Sequence, residues 1–198
     1  VQDLTGGWTE SPLTSRGLRQ SRRLALRLRH DLPSGPYWLA SSDLSRAVQT
    51  AEAVGWALGV PVQQTDDLRS MNNGQAANLR RSDARAIANS PSEPRLDWRP
   101  YPHSESRREV GERIGAFLDD FSRQLSNRPE RAGILVTHCG VIDLIVKWWL
   151  GLDYTKSDTF FRTVPASLTV LVISRWGERV MERLNDTAHL VGMSGRVR

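Results

Sequence analysis

Apolar and polar residues follow two periods along this chain, one typical of amphipathic helices and one typical of short buried strands. Apolar positions at helical spacing predict helices near residues 18–28, 45–58, 106–125 and 140–150. Short apolar or β-branched runs predict strands near 37–41, 60–64, 134–137, 167–173 and 179–184, the last two forming a hairpin around Trp176-Gly177. Strands that alternate with helices predict an α/β sandwich with a mostly parallel central sheet.

Residues 66–104 interrupt this alternation. They are rich in Asn, Ser, Pro and Arg, with a short predicted helix near 82–88 as their regular part. An excursion this long inside a compact domain usually serves function. We therefore expect the excursion to be functional. With no interdomain linker in the sequence, we expect one domain over residues 1–190 and a loose C-terminal tail over 191–198.

Composition places the chain among globular proteins: 198 residues, 39% hydrophobic and 25% charged. A single cysteine, Cys139, excludes an internal disulfide and any zinc site built from two cysteines. The longest apolar run, 141–150, is broken by Asp143 and Lys147 and is too short for a transmembrane helix. With no secretory signal pattern at the start, we expect a cytoplasmic protein without a membrane partner.

The net charge of +5 comes almost entirely from arginine, since Lys147 and Lys156 are the two lysines. Several arginines share one predicted helix: Arg16, Arg19, Arg22, Arg23, Arg27 and Arg29. We interpret this cluster as a solvated helix face. A nucleic-acid surface is the alternative, but we do not expect one because no aromatic residue interleaves with the arginines.

The most informative segment is Ile134-Leu-Val-Thr-His138-Cys139-Gly140-Val-Ile, where a buried strand ends in a histidine and a helix begins. Ligands of open α/β sheets bind at the carboxyl ends of strands. The N–H groups and dipole of the helix start suit an anion there. A histidine that caps the helix or satisfies a buried polar group is the alternative interpretation.

A second strand-to-helix junction is Leu39-Ala-Ser-Ser42-Asp43-Leu-Ser-Arg46, where Ser42 or Asp43 can cap the helix. Arg46 then lies in the first helical turn, where a cation opposes the helix dipole. A bound phosphate explains an arginine at this position because the guanidinium fork fits two phosphate oxygens. A salt bridge to Asp43 or Glu52 is the alternative.

Four segments in this order resemble the histidine phosphatase superfamily, in its phosphoglycerate-mutase-like group. They are Thr9-Glu-Ser-Pro-Leu-Thr-Ser-Arg-Gly17, Ser41-Ser-Asp-Leu-Ser-Arg-Ala47, Thr137-His-Cys-Gly-Val-Ile142 and Leu184-Asn-Asp-Thr-Ala-His-Leu190. The resemblance runs from about Gly6 to Leu190. It implies a three-layer α/β/α sandwich that agrees with the predicted elements.

The resemblance also implies a chemistry, the hydrolysis of phosphomonoesters through a phosphohistidine, and we favour phosphatase over mutase. Arg46 resembles the family's second phosphate-clamping arginine, and His138 its second active-site histidine. The backbone N–H of Cys139 is expected to point at the phosphate, and Gly6 and Gly7 to lie near the substrate. The expected partner is a small-molecule phosphomonoester or phosphate, with no metal and no cofactor. The oligomeric state stays open.

The chain departs from the family pattern at two chemical positions. No Arg-His-Gly-Glu segment, which would carry the nucleophilic histidine, occurs in the 198 residues, and Arg29-His30-Asp31 lies in the wrong place to replace it. In Leu68-Arg69-Ser70, Ser70 occupies the position of the usual acidic proton donor. Glu105, in Ser104-Glu105-Ser106, resembles a Gly-Glu-Ser motif of the family. We expect it to position other residues rather than to act as the acid.

Two interpretations follow from these departures. In the first, the protein is a phosphomonoester hydrolase that is truncated or impaired as written, because the family's first strand lies in the middle of the sheet and its loss is costly. In the second, it is an inactive relative that binds phosphate or a phosphoprotein, as Ser70 suggests. The sequence leaves open whether the chain is an active enzyme.

Overall fold

The computed structural model describes residues 3–128, 132–156 and 159–193; most of the predicted tail, 194–198, lies outside them. All the predicted elements are present, with ends shifted by a few residues. In chain order they are α1 (Ser15–Asp31), β1 (Tyr37–Ser42), α2 (Ser45–Leu58), β2 (Val62–Thr65), α3 (Arg81–Ala86), α4 (Arg107–Ser126), β3 (Ala132–Val136), α5 (Cys139–Leu150), β4 (Leu168–Ile173) and β5 (Arg179–Asp186). Within these ranges no helix is both long and apolar enough to cross a bilayer.

Local sequence explains where the helices begin and end. The Thr14 hydroxyl accepts the Gly17 N–H at the start of α1. Ser106 and Glu109 form a capping box at the start of α4. Glycines end α2 and α5, where Gly59 and Gly151 adopt the left-handed conformation that other residues disfavour.

The strand β2 begins at Val62, two residues later than predicted. The Val60 N–H donates to the Gly55 carbonyl and completes the end of α2, and Pro61 has no N–H to pair. Within the 66–104 excursion, α3 is accompanied by short 3-10 turns at Asp66–Leu68 and Gly74–Ala76.

The parallel sheet has the strand order β2-β1-β3. Side chains of β1 alternate between two cores. Leu39 packs with Leu24 of α1 and Val54 of α2, whereas Trp38 and Ala40 pack with residues of α4 and α5. The three-layer α/β/α sandwich is therefore confirmed.

The strands β4 and β5 form a separate antiparallel hairpin with its turn at residues 174–178, as the sequence predicted. Helices on both faces hold this hairpin. Asp31 of α1 pairs with Arg183, and the indole Nε1 of Trp149 in α5 donates to the Val180 carbonyl at 3.1 Å. Within the described residues, the parallel part of the structure is the three-stranded sheet β2-β1-β3.

Two glycines give a matched test of this packing. A Cβ on Gly133 in β3 would lie 2.3 Å from the ring of Phe121, which stacks on Trp38, whereas a Cβ on Gly115 in α4 would meet nothing within 4 Å. Gly133→Ala should destabilise the protein by about 1–3 kcal/mol through overpacking. Gly115→Ala should stabilise it by about 0.5–1 kcal/mol because alanine loses less entropy in a helix. Urea unfolding checks both signs, and destabilisation by both substitutions would contradict this packing.

Candidate active site

The candidate site forms where β1 and β3 end side by side. These strands pair in parallel, with Ser41 opposite Val136, so their carboxyl ends lie at the same edge of the sheet. Arg46 lies in the first turn of α2 after β1, and His138 directly follows β3 and precedes α5. The two residues singled out by separate sequence segments are therefore brought to one place.

The Arg46 guanidinium is held by backbone rather than by a carboxylate. Its Nη1 and Nη2 donate to the carbonyls of Thr9 and Gly7 at 2.9 and 3.0 Å. The alternative salt bridges to Asp43 or Glu52 are not found among the described contacts. Burial lowers the pKa of Arg46, and nearby Glu10 opposes that shift. An arginine has five N–H groups, so this one keeps donors for a ligand.

His138 is oriented by Ser42, a contact that the sequence analysis did not predict. The imidazole Nε2 lies 3.0 Å from the Ser42 hydroxyl, which is fully buried and also accepts the Leu44 N–H at 3.3 Å. A buried hydroxyl proton needs an acceptor, and Nε2 is the acceptor found among the described contacts of the Ser42 hydroxyl. Ser42 therefore donates to Nε2, which leaves the proton of the neutral imidazole on Nδ1.

The charge state of His138 agrees with this assignment. Its pKa is lowered from 6.5 to about 4, first by burial and then by repulsion from Arg46 and Arg113, while Asp43 opposes the shift. His138 is thus neutral near pH 7. It can donate a hydrogen bond through Nδ1–H to a phosphoryl oxygen without adding a second cation beside Arg46.

The predicted caps of α2 are wrong. Leu44 is the N-cap residue and provides no side-chain bond, while the Glu10 carboxylate accepts the Ser45 N–H at 3.3 Å from another segment. Asp43 instead receives two hydrogen bonds from the Arg69 guanidinium, one of them 2.7 Å long. This pairing lowers the pKa of Asp43 and neutralises Arg69 near the site.

Trp8 contacts two residues of the 66–104 excursion, Arg69 and Ser70. The Arg69 guanidinium carbon lies 4.7 Å from the centre of the Trp8 ring, and the indole N–H donates to the Ser70 carbonyl at 2.6 Å. Sequence reasoning missed this contact and the Asp43–Arg69 pair. The position of Asp43 directly after a strand indicated a residue near the site. Its partner Arg69 could not be identified, because the 66–104 excursion has no regular periodicity.

Gly7 sits where a side chain does not fit. Its φ is +93°, and a Cβ would lie 3.0 Å from the Asn73 nitrogen and the Met71 carbonyl. Its carbonyl binds Arg46, so close approach of the backbone is part of how the guanidinium is held. Gly6 is exposed, and its carbonyl accepts the Asn73 side-chain N–H at 3.1 Å. Substrate contact by either glycine stays a prediction.

Cys139 is the first residue of α5 and is exposed. The first amides that bond within the turn are those of Val141 and Ile142, which both donate to the His138 carbonyl. The N–H groups of Cys139 and Gly140 precede them at the positive end of the helix dipole. Contact between Cys139 and a phosphate stays a prediction.

The candidate carboxylate Glu105 is engaged elsewhere. Arg113 donates to the Glu105 carboxylate through Nε at 3.1 Å and through Nη2 at 3.0 Å. The same carboxylate accepts the Asn72 N–H at 2.7 Å. Arg113 also donates to the Arg69 carbonyl at 3.1 Å, so the pair ties α4 to the excursion. This geometry suits the positional role expected of Glu105.

The other residues singled out from the sequence, His30 and the arginines of α1, have no described contact with Arg46 or His138. His30 is exposed at the end of α1 beside Asp31. Of the α1 arginines, Arg19, Arg22, Arg23 and Arg29 are exposed, whereas Arg27 pairs with Asp31. In the described parts of the chain, no three His, Cys, Asp or Glu side chains converge to hold a metal.

A family model for the histidine phosphatase superfamily (branch 1) matches residues 1–187. The chain belongs to this superfamily. It is 30% identical to the probable phosphoglycerate mutase GpmB of Yersinia pestis (strain Pestoides F), over 93% of this chain and 86% of the relative.

Solved structures of histidine phosphatases share the fold. The α-ribazole phosphatase of Shigella flexneri superposes with a TM-score of 0.77 at 22% identity, covering 92% of this chain and 88% of that one. A mycobacterial glucosyl-3-phosphoglycerate phosphatase in complex with inorganic phosphate superposes with a TM-score of 0.74 at 24% identity, covering 95% and 94%.

The Ser42–His138 contact predicts a defined imidazole tautomer. In ¹⁵N spectra near pH 7, His138 should show a protonated Nδ1 and an unprotonated Nε2. Ser42→Ala should give a tautomer mixture and cost about 1–3 kcal/mol of stability because a buried acceptor loses its donor. Ser41→Ala is the matched control, since Ser41 is equally buried but donates to the Ser42 carbonyl. Loss of the tautomer in the Ser41 variant as well would contradict a specific role for Ser42.

The lowered pKa of His138 predicts a pH-dependent stability. Between pH 4 and 6.5 the unfolded chain binds a proton on this residue that the folded chain does not. Stability should therefore rise with pH across this window, by on the order of 3 kcal/mol from this group, and then level off. His138→Gln should remove that part of the slope. Denaturant unfolding of both proteins at four pH values measures it, and equal slopes would count against a depressed His138 pKa.

Proposed function

We propose that this protein hydrolyses small phosphomonoesters and that the Arg46–His138 site binds the phosphoryl group. The observation that carries this proposal is the convergence of a half-buried guanidinium, a neutral imidazole and the start of α5 at the end of β3. Fixed donors of this kind stabilise the charge that spreads over phosphoryl oxygens in the transition state. Phosphate and vanadate complexes of structural neighbours support the same ligand class.

The proposed reaction passes through a phosphohistidine. A histidine nitrogen bonds to phosphorus as the bond from phosphorus to the ester oxygen breaks, and the departing alkoxide takes a proton from water. Water then breaks the new N–P bond and yields phosphate and free histidine. Arg46 and His138 would hold the non-bridging oxygens in both steps.

The sheet supports a place for the nucleophile. Among the described strands, β3 pairs with β1 alone and β4 with β5 alone, so both keep an unpaired edge. Leu168 of β4 packs against the same core cluster as Ile134 and Val136 of β3. We propose that a strand bearing Arg-His-Gly-Glu pairs with these edges, where parallel pairing with β3 would bring its histidine to His138.

The second candidate is a module that binds phosphate or a phosphoprotein without turnover. Two observations favour it: Ser70 stands at the position of the acid, and Glu105 is held by Arg113. The names of the relatives include both mutase and phosphatase, and we favour phosphatase. A cytoplasmic location stays a prediction.

Phosphate binding tests the site directly. Arg46→Ala should weaken binding of inorganic phosphate or vanadate by about 10- to 100-fold, because a charge-assisted pair of hydrogen bonds is lost. Arg46→Lys should recover part of the affinity through charge without the fork. Isothermal titration calorimetry measures this, with Arg29→Ala, an exposed arginine of α1, as control. Equal affinity of the Arg46→Ala and parent proteins would refute the site.

Complementation distinguishes enzyme from binding module. A synthetic peptide with an apolar strand followed by Arg-His-Gly-Glu is added to the chain with p-nitrophenyl phosphate as substrate. The enzyme proposal expects turnover that needs both the peptide histidine and Arg46, with a His→Gln peptide as control. Peptide binding and phosphate binding without turnover would instead support the module.

A further inference from the structure

A cavity of about 380 Å³ lies between α1 and the segment that follows β5. Its described lining consists of four arginines of α1 and two residues of that segment: Arg16, Arg19, Arg22, Arg23, Gly192 and Met193. None of the described contacts of Arg46 or His138 involves these residues, so the cavity is separate from the proposed phosphate site. Its volume lies within the range of about 300–1,000 Å³ that small-molecule sites occupy.

One wall of the cavity is fastened to α1 through main-chain carbonyls. Nη1 of Arg23 donates to the carbonyl of Val191 at 2.7 Å and to that of His189 at 3.4 Å. The Met193 N–H donates to the carbonyl of Leu190, whose side chain is buried. The segment after β5 is therefore held against the helix by hydrogen-bonded backbone.

The arginines of this cavity repel one another along one face of α1. Arg19 is three residues from Arg22 and four from Arg23, and like charges at these spacings destabilise a helix. Arg16 lies in the first turn, where a cation opposes the helix dipole, and that turn contains no acidic residue. The start of α1 thus concentrates positive charge at a cost in helix stability, which an anion in the cavity would offset.

The carboxylates near α1 pair with a different arginine. Arg27, further along the helix, pairs with Asp31 and with Asp186. Within the ranges that the structure describes, no carboxylate pairs with Arg19 or Arg22, and both side chains are exposed. Their guanidinium groups therefore have N–H donors available for a ligand from solvent.

The spacing of the arginines favours an anion with several linked charges. An exposed guanidinium binds a single anion weakly because water competes, so affinity requires several contacts at once. From Arg16 to Arg23 the helix rises about 10 Å, and guanidinium forks that fit phosphate oxygens follow this length. The described lining contains no aromatic ring on which a nucleic-acid base could stack. A short chain of linked phosphates therefore fits these walls better than a nucleic-acid strand.

We propose that this cavity binds an oligophosphate, a chain of two or three linked phosphates that is either free or carried by a nucleoside. The guanidiniums of Arg19, Arg22 and Arg23 bind its oxygens, and the segment after β5 closes the other side. The proposal assigns a ligand to side chains that the sequence pattern alone describes as a solvated helix face. It is independent of the proposed phosphatase activity, which concerns the Arg46–His138 site.

Calorimetric titration with inorganic tripolyphosphate tests the cavity. The titration uses the Arg46→Ala chain in buffer without divalent cations, so that the proposed phosphate site does not contribute. We expect saturable binding that is about 10-fold tighter than that of orthophosphate and that shifts the amide signals of Gly192 and Met193 in ¹⁵N spectra. Adding Arg19→Gln/Arg22→Gln should weaken this binding by about 10-fold or more, because charge-assisted hydrogen bonds are lost.

Adenosine triphosphate distinguishes the two sources of the phosphate chain. Similar affinity for it and for tripolyphosphate would support a chain carried by a nucleoside. Binding of tripolyphosphate alone would support a free chain.

A matched double variant separates the cavity from net charge. Arg29→Gln/Arg107→Gln removes two charges at exposed positions outside the cavity and should leave tripolyphosphate binding unchanged. The Arg19→Gln/Arg22→Gln protein should unfold at the same or a higher urea concentration than its parent, since repulsion along α1 is relieved. Its loss of binding then reflects the cavity rather than the fold.

Three results would overturn the proposal. The first is equal weakening in the Arg29→Gln/Arg107→Gln control, which would assign the binding to net charge. The second is tripolyphosphate binding by the parent chain that disappears in Arg46→Ala, which would assign it to the phosphate site and leave the proposed function standing. The third is binding that leaves the Gly192 and Met193 signals unshifted.

Discussion

The parallel pairing of β1 with β3 is the constraint on which the candidate site depends. Because both strands run in the same direction and end opposite each other, the chain must leave the sheet twice at the same edge. Each exit leads into a helix, so Arg46 and His138 both reach the space above that edge. A shift of the β1–β3 register by one residue would turn every side chain of β3 to the other face and separate the pair.

Burial first, and electrostatic repulsion second, explain why the site holds a neutral histidine. The charges that act on His138 are those of Arg46, Arg113 and Asp43, and two of these are paired: Arg113 with Glu105, and Asp43 with Arg69. Arg46 is bound to carbonyls instead and keeps its charge available. A protonated His138 would add a buried cation beside it, which is the arrangement that the lowered pKa of His138 avoids.

Among the described residues, side chains rather than backbone pairing connect the β4–β5 hairpin to the rest of the fold. Helices α1 and α5 hold it through side chains on either face, such as Asp31 with Arg183 and Trp149 with Val180. Backbone pairing would normally connect adjacent strands in a sandwich. Among the described strands, β3 and β4 each have a backbone partner on one edge only.

The sequence by itself determined the elements, the sandwich and the two junctions at Arg46 and His138. These depend on periodicity, glycine and proline breaks and residue order, which are properties of near neighbours in the chain. Only the tertiary structure decided that Ser42 orients His138, 96 positions away, and that Asp43 pairs with Arg69 rather than Arg46. Such contacts depend on strand register and on burial of hydroxyls and charges, and no local pattern encodes these.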